Sequence, residues 1–165
     1  MIVAYHEAGH ATMAIACGFK LTALSVNVSD VGKGFVAYQI PALVDAATAK
    51  KAALVSAAGL AADFHLADKS GKPRSSGEFL GHFNDQKMAA EYIRQSGGGG
   101  NFDGYLVFAG WFLKNNWSVV DSVAKTLFHL KTFRPDSLDI LKFPTLPDNW
   151  PTILDQAFLI EKTVR

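Results

Sequence analysis

Val3, His6, His10, Met13 and Cys17 recur at intervals of three and four, the spacing that stacks side chains on one face of an α-helix. The pattern predicts a helix over 2–17, stopped by Gly18, with both histidines inside an otherwise apolar stripe that faces the core. The period then changes. Leu24, Val26 and Val28 alternate, and Phe35 follows among β-branched and aromatic neighbours. This predicts a β-hairpin joined at "SDVGKG" and ended by Pro41.

From Asp45, a residue suited to N-capping, an Ala- and Leu-rich run predicts a helix through residue 67, buried on most sides because few positions are polar. "DKSGKPRSSGEFLG" reads as loop by composition, and Asn84 is placed to cap a helix running to about Gln95. The "SGGGGNFDG" run ends that helix. It reads as a flexible connector, since no GK[ST] element accompanies it as a phosphate cradle would need. Residues 105–130 predict a long helical stretch broken near Asn115–Trp117. Four prolines between 134 and 151 exclude a long helix there, and 152–163 predicts a short final one. The expected fold class is α+β and mostly α-helical, with the first helix and the buried second helix covering the short hairpin. Residues 1–133 form one domain and 134–165 a Pro-rich C-terminal extension packed on it.

Composition narrows the function classes. The chain has 165 residues, 49% apolar and 19% charged, enough to bury a core and unlike a disordered chain. Sixteen basic against 15 acidic residues leave a net charge of +1, without the basic excess or clustered face of a nucleic-acid binder. Cys17 is the single cysteine, which excludes an internal disulfide and a Cys-rich metal cluster. The longest apolar run, "YLVFAGWFL", is far short of the ~20 residues a membrane helix needs. No signal-peptide pattern precedes the first helix, so a soluble, cytoplasmic chain with no membrane span is expected.

The chemistry lies in "AYHEAGHATMAIACG". A helix sets His6 and His10 about one turn apart on one face, so both imidazoles can converge on one ion. Glu7 flanks that face. It is placed to take a proton from a metal-activated water rather than to bind the same ion. Gly9 lets another element approach closely. With five histidines and four glutamates in the chain, an H-E-x-x-H match arises by chance in about 0.4% of such sequences. The alternative is a helix carrying two incidental histidines. A tetrahedral catalytic site needs a third protein ligand, and the chain offers Asp85, His82, His65, Asp63 and Glu78.

"AYHEAGHA" followed by a short hairpin resembles the peptidase domain of the FtsH family of ATP-dependent zinc proteases. "SAAGLAADFHLA" is similar to that family's Gly-Gly-Arg-Ala-Ala-Glu-Glu helix, and "SGEFLGHFNDQKMAAEYI" to its Thr-Thr-Gly-Ala-x-x-Asp-Leu segment. "GWFLKNNWSVVDSVAKTLFHL" looks like its closing helices, so the resemblance spans roughly residues 2–130. It departs at Leu60, where the family carries arginine, and at Asp63–Phe64, which replace its acidic pair. The sequence contains no Walker-type ATPase motif and no membrane segment.

The resemblance implies Zn2+ held by His6, His10 and Asp85, with Glu7 as general base and unfolded or flexible polypeptides as substrate. His82 is then a supporting or surface residue, His65 a partly buried histidine with a hydrogen-bond partner, and His129 has no motif around it. One strand of the hairpin, 34–40, is a candidate for pairing with extended substrate. The chain is then either an excised or standalone peptidase domain or one whose motor is a separate ATPase partner, and a homo-oligomer is equally open. A catalytically silent zinc-binding or regulatory module is the competing class.

Overall fold

The computed structural model describes residues 2–27, 33–42, 44–71, 82–98, 100–133 and 141–164. Helix α1 runs Ile2–Ala16. Its Ala-rich composition lets neighbours close in on almost every side, so Ala4, Ala8, Ala11, Met13 and Ala14 are all buried. Gly18 adopts φ +82°, and Phe19 N–H returns to Ala14 C=O at 2.9 Å, closing the helix by the left-handed glycine stop its sequence announces.

Strands β1 (Lys20–Asn27) and β2 (Lys33–Gln39) pair antiparallel, from Lys20↔Gln39 to Asn27↔Lys33. A register irregularity between Leu21 and Ala23 explains the burial pattern: Leu21 lies one position out of phase with Leu24 and Val26, yet all three are buried. One extra residue flips the alternation, so both phases reach the core. The "SDVG" part of the predicted turn lies outside the described residues.

Helix α2 (Ala46–Ser70) begins as expected, with Thr48 N–H donating to Asp45 Oδ1 at 2.7 Å, a cap worth about 1 kcal/mol. It continues three residues beyond the predicted end, to Gly71 in the left-handed conformation. Helix α3 (His82–Gln95) starts earlier than predicted: Asn84 lies within the helix rather than capping it. Helices α4 (Phe102–Asn115) and α5 (Trp117–Leu130) divide at Asn116, where the break was expected. A two-residue strand β3 (Thr132–Phe133) adds to β1, giving sheet order β2-β1-β3, and helix α6 (Trp150–Val164) follows.

The class is thus α+β and mostly helical, with one difference in arrangement. α1 alone of the two expected helices lies broadly against the sheet, assisted by α5, whereas α2 packs on α1, α3 and α4. α1 is therefore the central element, enclosed by sheet, α2 and α5. Leu146 N–H donates to Ala16 C=O at 3.1 Å, and Leu141, Phe143 and Trp150 pack on the core, so residues 141–150 run back across the end of α1. No helix among the described residues is long and apolar enough to cross a membrane.

Candidate metal centre

Two glycine contacts bring α1 and α2 unusually close. A Cβ on Gly9 would fall 2.6 Å from the Ala58 carbonyl oxygen and 2.7 Å from the Ala62 methyl. Only a residue without a side chain fits there. At this separation side chains from one helix reach the backbone of the other. His10 Nδ1 lies 2.7 Å from Val55 O, a buried contact in which the ring N–H donates to the carbonyl. His6 Nδ1 lies 2.8 Å from Asp63 Oδ2. Each imidazole therefore has its Nδ1 proton engaged by α2, which turns its Nε2 lone pair toward the other ring.

The Nε2 atoms meet 3.0 Å apart, with the rings nearly perpendicular. Asp85 Oδ2 completes the triangle at 3.1 Å from His6 Nε2 and 3.3 Å from His10 Nε2. Asp85 reaches this point because it shares a face of α3 with the buried Ala89 and Ile93, four and eight residues on. His6, His10 and Asp85 form the group of donors close enough to hold one metal ion among the described residues. Asp85 retains 23% side-chain exposure against 13% and 10% for the histidines, so it is the most exposed corner of the triangle.

The electrostatics follow from crowding. Burial opposes charge on His6, but the Asp63 and Asp85 carboxylates outweigh it and raise its pKa to about 10. Burial works against the Asp85 carboxylate too, yet its bonds to His10 and His6 hold its pKa well below the usual carboxylate range. Two nitrogen lone pairs and a carboxylate oxygen within 3.3 Å require positive charge among them: a shared proton, or a cation.

Glu7 is 5% exposed, and burial raises its pKa, a rise only partly offset by the neighbouring His10 and His6. Its carboxylate lies against the backbone of β2: a Cβ on Gly34 would come within 2.6 Å of Glu7 Oε1. The residue flanking the histidine face thus meets the strand singled out for substrate. Observed β2 covers 33–39, against the expected 34–40, and β1 is its pairing partner in the sheet.

The remaining candidates go elsewhere. Asp63 orients His6 through Nδ1 and does not join the donor triangle. His65 is half-buried edge-on to the Trp117 ring, at 4.4 Å between centroids, and Lys69 lies over the same ring. His129 is exposed beside Phe128. His82 is the first residue of α3 rather than a loop residue; its side chain, like the whole of Glu78, lies outside the described residues. Sequence reasoning missed the Val55 carbonyl, Gly34 and Gly59. A glycine inside an otherwise Ala-rich helix is the signal that could have found the last.

No family model, curated protein or solved structure matches this chain. What the site can do follows from its own geometry.

Proposed function

We propose that this chain is a zinc-dependent metallopeptidase, similar to the FtsH-type peptidase domain, that hydrolyses peptide bonds in unfolded or flexible polypeptides. The donor triangle of His6, His10 and Asp85 carries the reading. Tetrahedral zinc with bonds of about 2.0–2.1 Å holds its ligand atoms about 3.3 Å apart. The observed edges of 3.0, 3.1 and 3.3 Å fit that size. Two imidazoles and one carboxylate suit zinc and oppose calcium or magnesium, which favour all-oxygen shells. Three protein ligands leave a tetrahedral ion one position for water or substrate, the open arrangement of catalytic sites.

Zinc, when bound, supplies Lewis acidity that polarises a carbonyl and lowers the pKa of water. Glu7 accepts the proton of the attacking water on its carboxylate and passes it to the leaving amine nitrogen. Asp63 and the Val55 carbonyl hold the imidazoles in the ligating tautomer. An extended peptide added to the outer edge of β2 would run past Gly34, and so past the base. These 165 residues carry no ATPase motif, so by themselves they are expected to cut flexible chains and to spare compact folded ones, with unfolding left to an ATPase.

The test combines metal analysis with proteolysis of an unfolded protein, for wild type and Glu7→Gln. About one zinc per chain in both, with turnover only in wild type, is the expected result. Protein that neither contains nor takes up a transition metal ends the reading. Zinc-loaded wild type that cleaves nothing in a broad peptide library identifies a silent metal-binding module instead.

A further inference from the structure

Gly59 lies within α2 in the buried run Ala57-Ala58-Gly59-Leu60-Ala61-Ala62. Its φ is not positive, so the backbone conformation does not call for glycine. Alanine, the residue on which this part of α2 is built, is the better helix former. The reason for glycine is across the interface. A Cβ at residue 59 would lie 2.5 Å from His6 Cε1, 2.6 Å from His6 Nε2 and closer still to His10 Nε2. These Nε2 atoms are two corners of the donor triangle.

The period of α2 sharpens the point. Val55, Gly59 and Asp63 are spaced four apart and form one stripe. The Val55 carbonyl receives His10 Nδ1–H and the Asp63 carboxylate receives His6 Nδ1–H. The stripe thus has an acceptor at each end and an empty centre. Histidines four apart on α1 match acceptors eight apart on α2 because the rings lean inward and meet over that centre. Gly9 makes the fit reciprocal by bringing α1 down between Ala58 and Ala62.

We propose that Gly59 is a positioning residue of the metal centre: its missing side chain is the space into which both ligating imidazoles converge. The proposal rests on the metal-centre reading above. A methyl group there would push the two Nε2 atoms apart or cover the side from which they face the ion. The Nδ1 anchors at Val55 and Asp63 prevent both rings from simply rotating away.

Two measurements on the full chain test it. The first is zinc affinity of Gly59→Ala, by competition with a chromophoric chelator and by the visible spectrum of the cobalt-substituted protein. Affinity should fall by about 100-fold or more, at or beyond the upper end of what loss of a supporting contact causes. The second is a thermal-unfolding comparison without metal. Gly59→Ala should lower Tm in the native background and raise it in a His6→Ala/His10→Ala background, where only the helix-propensity gain remains.

Wild-type affinity in folded Gly59→Ala overturns the proposal, as does a Tm shift of the same sign in both backgrounds. If Gly59→Ala fails to fold, the triple variant decides: a raised Tm supports the proposal and failure to fold overturns it. Wild type that binds neither zinc nor cobalt overturns the metal-centre reading together with the proposal. Wild type that binds metal beside an unimpaired Gly59→Ala overturns the proposal alone.

Discussion

The two halves of this molecule pack by different rules. On α4, α5 and α6 the core-facing side chains are large and apolar: Tyr105, Phe108, Leu113, Val120, Val123, Leu127 and Leu154 are all fully buried. Between α1 and α2 the contact is made by small residues, Gly9 against Ala58 and Ala62 and Gly59 against the His6 and His10 rings, with His10 buried at the seam. Bulky side chains keep backbones apart and fill the space with hydrocarbon. Small ones let helix backbones approach until carbonyls and carboxylates of one helix orient side chains of the other. The first arrangement supplies stability, each fully buried Leu or Phe being worth about 1.5–3 kcal/mol. The second supplies position, and its tolerance of change should be far lower.

The sharpest contrast concerns the ion. His10→Ala or Asp85→Ala should lose metal and turnover together, because a tridentate site reduced to two ligands weakens by far more than the ~10- to 100-fold typical of a supporting contact. His82→Ala should keep zinc and most activity. Elemental analysis after dialysis against a weak chelator measures both, and the opposite pattern would place the third ligand at His82.

In the other half, Leu113→Ala should cost about 2–5 kcal/mol of folding stability through the cavity it leaves, yet leave zinc affinity unchanged. Denaturant unfolding beside a metal titration checks this. A coupled loss of affinity would show that the halves are not independent.

Glu7→Gln should retain zinc and lower kcat by about 10²-fold, or about 2.7 kcal/mol in the barrier. A variant that loses zinc would make Glu7 a structural part of the centre rather than its base.

The smallest effect is expected where the two halves meet. The Tyr5 hydroxyl donates to Asp121 Oδ1 at 2.6 Å, and Lys125 pairs with the same carboxylate. Burial first, and then the adjacent Asp121 charge, push the Tyr5 pKa up to about 12 from 10.0. The folded state thus favours the protonated phenol. Its contribution is complete below pH 10 and is lost as pH rises from 10 through 12. Tyr5→Phe should cost about 1 kcal/mol at neutral pH and flatten the alkaline fall in Tm. An unchanged alkaline limb would show that another group governs it.

Much of this was legible one-dimensionally. The three-and-four spacing of Val3, His6, His10 and Met13 marks α1; Gly18 stops that helix and Asp45 caps α2, as the chemistry of each residue implies. Local hydrogen bonds satisfy these positions, so local sequence determines them. The start of α3 was misread because Asn84 suits a cap as well as a first turn, and nothing local separates the two. β3 was missed because two residues carry no period; Val26 N–H reaching Lys131 C=O at 2.8 Å accompanies its pairing.

The site divides in the same way. That His6 and His10 share a face, with Glu7 beside it, is a property of the helix and could be read from spacing. Residue type alone left Asp63 and Asp85 both open as acids near His6, and only the resemblance favoured Asp85. Tertiary packing separates them: Asp63 meets the Nδ1 side of His6 and Asp85 the Nε2 side. The sequence by itself determined which groups could do chemistry, because helical period acts over four residues. Only the approach of α2 and α3 to α1 decided which atoms face one another, because the empty space at Gly59 and the carbonyl of Val55 belong to a different element from the histidines they serve.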